Sequence, residues 1–270
     1  RRLMRTKLVI RLYTQSVGNW SYPFILLAWR ISQLLVPRKK VKINQLSFTL
    51  SCTNWITHFR WYTFKNKEPE TIYFIDNFLN NGDVFFDIGA NIGVFSIYAG
   101  KKYKDTQIIS FEPEVSNLAI LKENIIENKL TKQIMCYNLA ISDEVGLSKL
   151  HLQDFTPGAA LHTEDIGEIE FSAEGNRPIV WAEGIYRINL DYFCKETNIF
   201  PSVIKIDTDG NEDKILMGAK TILNNPNLRS IIMEMPENGS SVCESILFDS
   251  NFKKISYDKT NSRNIIWIRK

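Results

Sequence analysis

The chain has 270 residues, 44% of them hydrophobic, which is enough to bury one large core with an appendage and too apolar for a disordered protein. Its net charge of +3 hides a division, because residues 1–67 hold 13 Lys and Arg and no acid, leaving 20 bases against 30 acids in the remainder. Four scattered cysteines without CxxC spacing and three distant histidines, His58, His151 and His162, argue against a disulfide frame or a histidine-built metal cluster. They fit reduced packing thiols in a cytosolic protein.

The acid-free head points to an anionic partner: a membrane surface, a nucleic acid, or the acidic body itself. Its longest apolar run, Trp20 to Val36, is short for a bilayer span of about 20 residues and contains Arg30, so it reads as an amphipathic or packing helix. Flanking Lys and Arg suit peripheral contact with anionic lipid. The chain begins at Arg1 rather than Met, which leaves an upstream targeting segment open. Next, His58 to Phe64 mixes aromatics with Arg60, as an acceptor wall or as an amphipathic strand packed on the body.

From Glu70 the pattern becomes regular. Ile72, Ile75 and Phe78-Leu79 form one helical face before the Asn80-Asn81-Gly82 breaker, and a strand follows over 83–88. The turn Asp87-Ile-Gly-Ala-Asn-Ile-Gly93 leads into a helix closed by Gly100 and Lys101-Lys102, then a strand over 107–111. A helix from Val115 places Leu118, Leu121, Ile125 and Ile126 on its apolar stripe. Further strands are predicted over 134–138 and 202–206, with a helix over 190–197 before the second. Between them, the stretch over about 145–188, with hairpin-like runs at 147–152 and 179–182, is too long for an ordinary connection and reads as an insertion near a site. A helix over 212–223, a strand over 230–234, a helix over 241–247 and a terminal hairpin over 252–268, turning at Asn261-Ser262, complete the chain. Alternating strands and helices imply an α/β fold, a mostly parallel doubly wound sheet with an antiparallel C-terminal hairpin.

Ligands of such sheets sit at the carboxyl ends of the strands, here Asp87, Glu112, Asn138, Asp207 and Glu234. Four acids among five strand ends suit a phosphate poorly. Asn91 stands where the dinucleotide fingerprint needs its second glycine, which weighs against hydride transfer. A ligand with a carboxylate, an ammonium, a sulfonium and a ribose diol fits better, with Asp87 toward the cation and Glu112 toward the diol.

The runs VFFDIGANIGVFS, FEPEVSNLAILKENI, YNLAISDEVG, VIKIDTDGNEDKILMGAK and IIMEM, in this order over about residues 68–270, resemble the FkbM family of S-adenosylmethionine-dependent methyltransferases. The resemblance implies a class I methyltransferase (Rossmann-like) fold, S-adenosylmethionine as cofactor, and methylation of a hydroxyl on a sugar, glycan or natural product. Residue by residue it implies Asp87, Gly89, Asn91 and Gly93 at the methionine end, Glu112 at the ribose, and Asn138, Ala140 and Ser142 at the adenine edge. The family's Lys-Ile-Asp-x-Glu-Gly reads Lys205-Ile-Asp-Thr-Asp-Gly210 here, with the shorter Asp209 in its fifth place. The division expected is a basic extension of helix and strand over 1–67 and a methyltransferase domain over 68–270.

An alcohol must lose a proton when it is methylated, and Asp207 or Asp209 is the expected base, with His162 as an outside candidate. Asp207 could instead cap its loop or bind the ammonium. A divalent ion shared by Asp207, Asp209 and Glu234 is a further alternative, though no metal is assigned. Two other readings stay open: an RNA methyltransferase that grips phosphates with the head, against which no Asn-Pro-Pro-Tyr run and no Pro-Cys pair occurs, and a non-catalytic cofactor-binding module.

Overall fold

The computed structural model describes residues 22–34, 37–160, 162–164, 178–235, 240–255, 257 and 263–270. Contacts divide the chain into one unit over 1–37 and another over 38–270. Of the first, helix α1 (Tyr22–Leu34) is described, within the apolar run that the sequence marks as helical. Among the described residues no helix is long and apolar enough to cross a membrane.

Residues 38–67, which the sequence groups with the basic extension, belong to the second unit. Strands β1 (Arg38–Ile43) and β2 (Leu46–Ser51) form an antiparallel hairpin. β2 would be an unpaired edge, but side-chain amides of α5 (Val115–Glu127) and the residue following it cover its polar groups. Ser51 N–H donates to Asn124 Oδ1 at 2.8 Å, and Thr49 exchanges bonds with Asn128 at 2.9 and 2.7 Å. Helix α2 (Trp55–Lys67) replaces the amphipathic strand considered for this stretch. Asn54 caps it, accepting from the Ile56 and Thr57 N–H groups, while Thr57 Oγ1 accepts the Asn54 N–H.

The remaining elements alternate: α3 (Pro69–Phe78), β3 (Val84–Ile88), α4 (Val94–Lys102), β4 (Gln107–Phe111), α5, β5 (Ile134–Tyr137), β6 (Ala140–Ile141), β7 (Gly146–Leu152), β8 (Thr163–Glu164), β9 (Trp181–Ile188), α6 (Leu190–Thr197), β10 (Val203–Ile206), α7 (Glu212–Met217), α8 (Lys220–Leu223), β11 (Ser230–Glu234), α9 (Ser240–Asp249), β12 (Phe252–Ile255) and β13 (Asn264–Arg269). The main sheet has seven strands in the order β12-β13-β11-β10-β3-β4-β5, parallel from β11 to β5 and antiparallel through β13, the predicted architecture. The insertion forms its own sheet, β6-β9-β7-β8. The turn expected at Asn261-Ser262 lies outside the described residues, as do residues 165–177 of the insertion.

Strand alternation sends Phe85 to an apolar layer with α3, α4 and α5, and Phe86 and Ile88 to a second with α6, α7 and α9. Three local expectations fail for packing reasons. Gly100 does not end α4 but lies inside it, where a Cβ would press on Leu130, Ile108 and Ile134. Ile126 is exposed, and Ile120 takes the place on the buried stripe. The helix expected over 212–223 breaks at Gly218, where a Cβ would stand 2.2 Å from the Ser142 carbonyl oxygen. All four cysteines are free, and burial pushes the Cys194 and Cys243 thiols up to about 12, as inert packing groups require.

Candidate active site

The register sets Ile206 beside Ile88, so β10 and β3 end level and their following loops meet. Gly89, at φ +74°, is the point of contact: a Cβ there would lie 1.8 Å from the Asp207 carbonyl oxygen. The glycine is needed to let two strand ends touch. Gly93, at φ +79°, precedes α4, and a Cβ would meet Leu121 Cδ1 at 2.0 Å, so this glycine serves helix packing.

One rung below the strand ends, the apolar sheet face carries a polar strip. Ser110, Asp87 and Lys205 are register neighbours on β4, β3 and β10. Ser96 of α4 donates to Asp87 and lies 2.8 Å from Ser110 Oγ. The Lys205 ammonium sits 3.0 Å from Asp207 Oδ2, 3.7 Å from Asp87 Oδ1 and 5.4 Å from the Phe95 ring centre. Burial opposes the Lys205 charge, but Asp207, Asp87 and Glu68 outweigh it and hold the amine protonated. Burial raises the Asp87 carboxyl against the pull of Lys205 and Ser96. For Asp207 burial also works upward, yet Lys205 and a hydrogen bond with Glu234 bring it down to about 2. Glu234 is pushed up to about 8 by burial and by its bond to and charge repulsion from Asp207, partly offset by Arg263. The two carboxyls thus share a proton, with the charge on Asp207.

Above this rung lies a partly open cavity of about 80 Å³ at the strand ends. Of the residues singled out in the sequence, Gly89, Asn91, Glu112, Ala140, His162, Asp207 and Asp209 line it. Asp87, 1% exposed, lies beneath it in the ionic rung and does not. Gly93, Asn138 and Ser142 are also not among its walls: Asn138 donates to the Glu112 and Pro113 carbonyls, and Ser142 N–H donates to Ile188. Asp207, Asp209 and Glu234 bring carboxylate oxygens within 4.8 Å of one another.

Glu112 is the fixed polar feature of the cavity. Its Oε2 accepts the Asn91 N–H at 2.7 Å, its Oε1 accepts the Glu114 N–H at 3.0 Å, and the Asn117 side chain also hydrogen-bonds the carboxylate. Burial raises its carboxyl to about 7 despite those bonds. Leu139, Ala140 and Ile141 form an apolar wall, and Thr208, Asp209 and Asn211 a polar one. The sequence did not single out Asn117. Its signal was a polar residue at a buried position beside the apolar stripe of α5, and it accepts the Gly158 N–H at 2.6 Å and donates to the Ala159 carbonyl.

Gly158 and Ala159 belong to a strap over residues 154–160 that leads to Ala160 and His162 in the cavity wall. Asn54 holds the Pro157 carbonyl at 2.8 Å, Arg60 the Gly158 carbonyl at 2.5 Å and Asn91 the Ala159 carbonyl at 2.7 Å. His162, the outside candidate for the base, is half-buried. Neither ring nitrogen has a hydrogen-bond partner, and burial lowers its pKa, opposed by Glu114 and aided by Arg60.

The model of the family described as "Methyltransferase FkbM domain" matches residues 87–255, more than half of the chain. The chain belongs to the FkbM methyltransferase family. It is similar to the 31-O-demethyl-FK506 methyltransferase FkbM of Streptomyces tacrolimicus, at 26% identity over 190 residues that cover 58% of this chain and 66% of that one. Methyltransferase sdnD of Sordaria araneosa is 29% identical over 97 residues, 36% of this chain and 37% of that one. Both matches span less than two thirds of the relatives' own length. Among solved structures, the precorrin-6y C5,15-methyltransferase of Geobacter metallireducens GS-15 is similar with a TM-score of 0.43 at 13% identity, covering 75% of this chain and 87% of that one.

The cofactor of this family is S-adenosylmethionine, and the cavity's donor set fits it. Glu112 offers a carboxylate edge in the cavity wall to a diol, the Leu139–Ile141 wall suits a flat base, and the Asp207 and Asp209 end suits a cation.

Proposed function

We propose that the chain transfers a methyl group from S-adenosylmethionine to a hydroxyl oxygen of a small sugar, glycan or natural-product acceptor. The observation that carries this reading is the meeting, in one cavity, of the Glu112 end of β4 with the Asp207–Asp209 loop of β10. The FK506 relative bears an O-demethyl substrate in its name, which supports an oxygen acceptor. Bound here, the cofactor supplies a methyl carbon already activated by its sulfonium, so positioning is the main task left to the protein.

Glu112 orients the ribose, and the apolar wall covers the base. Asp207, held near 2 by Lys205, is a weak base, and its role is to keep negative charge beside the cationic centre. Asp209 stands in the cavity wall at φ +57°, a left-handed conformation that costs about 1–3 kcal/mol in a non-glycine residue, and it takes the hydroxyl proton.

The test is calorimetry with S-adenosylmethionine, followed by incubation with the labelled cofactor and fractionated glycans, lipids and RNA. Cofactor binding and an alkali-stable methyl ether in a glycan or small-molecule fraction are expected. Absence of cofactor binding overturns the reading, and label in RNA overturns the acceptor class.

A further inference from the structure

We propose that the exposed face of α2, with β1 beside it, docks the protein on an anionic lipid surface. This goes beyond the methyl-transfer reading and does not depend on it. Trp55, Phe59 and Tyr62 fall four and three residues apart, on one side of the helix, and are 72%, 48% and 73% exposed. The opposite side is occupied. Thr57 and Phe64 are buried, Arg60 holds the strap, and Trp61 Nε1 donates to the Lys40 carbonyl at 3.1 Å. Three large rings in a row in solvent form the kind of apolar patch that marks a contact surface.

Charge selects the contact. Lys65 lies in the last turn of α2, and Lys40 and Lys42 stand exposed on β1, which Trp61 ties to the helix, while Lys67 is paired with Glu68 at 3.6 Å. No acid occurs anywhere in residues 1–67. Rings with an apolar body, flanked by ammonium groups, match the headgroup layer of an anionic leaflet, where aromatics settle at the interface and lysines meet the negative surface.

Helix α1, in the other unit, independently exposes Phe24, Leu27, Trp29 and Ile31, aromatic and aliphatic groups that suit a lipid headgroup layer and the acyl chains below it. Its 13 residues run about 20 Å, against the roughly 30 Å of a hydrocarbon core, so it would lie in the interface rather than cross it. Nucleic acid is the less favoured partner, since the one arginine of α2 is engaged with the strap. Because Arg60, on the side of α2 away from the rings, anchors that strap, docking would leave the cavity wall behind the docked helix.

The experiment is co-sedimentation of the full chain with vesicles of phosphatidylcholine alone and with about one third phosphatidylserine, across a salt series. Expected are pelleting with the anionic vesicles only, a blue shift of tryptophan emission, and release as salt rises. Replacing all three rings (Trp55→Ala, Phe59→Ala, Tyr62→Ala) lowers the bound fraction by about ten-fold or more, and so does Lys40→Glu with Lys42→Glu and Lys65→Glu. Both variants keep the S-adenosylmethionine affinity of the parent, which shows that they fold. Any of four results overturns the proposal: no pelleting with anionic vesicles, unchanged pelleting of the variants, tighter binding of a short single-stranded RNA lost in the same variants, or a fall in oligomeric mass when the rings are removed.

Discussion

Two loops meet over the cavity, and they are held by different forces. The loop after β3 is shaped by contact: Gly89 and Gly93 have no room for a Cβ, the first because of the Asp207 backbone and the second because of Leu121. The loop after β10 is shaped by charge, with Lys205 beneath it compensating Asp87 and Asp207 while Glu234 retains a proton. A glycine turn that looks like a ligand cradle in the sequence is therefore also a spacer between strand ends, and the ligand-facing charge is set from the neighbouring strand.

The largest effect expected tests the charged side. Lys205→Met leaves Asp87 and Asp207 buried without their cation, and unfolding free energy should drop by about 3–5 kcal/mol in denaturant titration. A loss below 1 kcal/mol would show that the rung is neutral in the fold. On the contact side, Gly89→Ala should cost about 3 kcal/mol, because the obstacle is backbone. Gly93→Ala should cost less, about 1–2 kcal/mol, and Leu121→Ala in the same chain should recover part of it, since the obstacle there is the end of a side chain. Equal costs at the two glycines would erase the distinction.

Between the loops stands Glu112. Its carboxyl lies near 7, and the ionised form is the better acceptor for a diol, so affinity for S-adenosylmethionine should weaken as pH falls below about 7. Glu112→Gln should cost about ten-fold in affinity by calorimetry and remove that pH dependence. A pH-dependent affinity that survives the substitution would assign the titration elsewhere. The smallest effect concerns Glu234. Its pKa is raised from 4.5 to about 8 on folding, so between those values the folded chain binds more protons than the unfolded one, and stability falls as pH rises. Glu234→Gln, which can keep a hydrogen bond to Asp207, should flatten that slope in melts taken across the window.

Much of the frame was legible in the sequence because period and turn chemistry are local. The strands at 107–111 and 230–234 and the helix at 190–197 fall where the sequence predicts them, the first on its β-branched run. Glu112 and Asp207 were legible as strand-end acids, since parallel topology sends strand ends to one edge, and Asp209 through the motif that the chain resembles. Residues 38–67 were not, because a basic composition does not reveal that Asn124 and Asn128 receive β2 or that Asn54 starts a helix.

By itself the sequence determined the alternation of strands and helices, the order of motifs and the acidic edge, all properties of neighbouring residues and of chain order. Only the tertiary structure decided that Asp87 lies under the cavity rather than in it, that Lys205 controls Asp207, and that the strap brings His162 into the wall. Those facts depend on register between strands and on side chains distant in sequence. Register and burial set the charge states of Glu112, Asp207 and Glu234, and neither is written in local spacing.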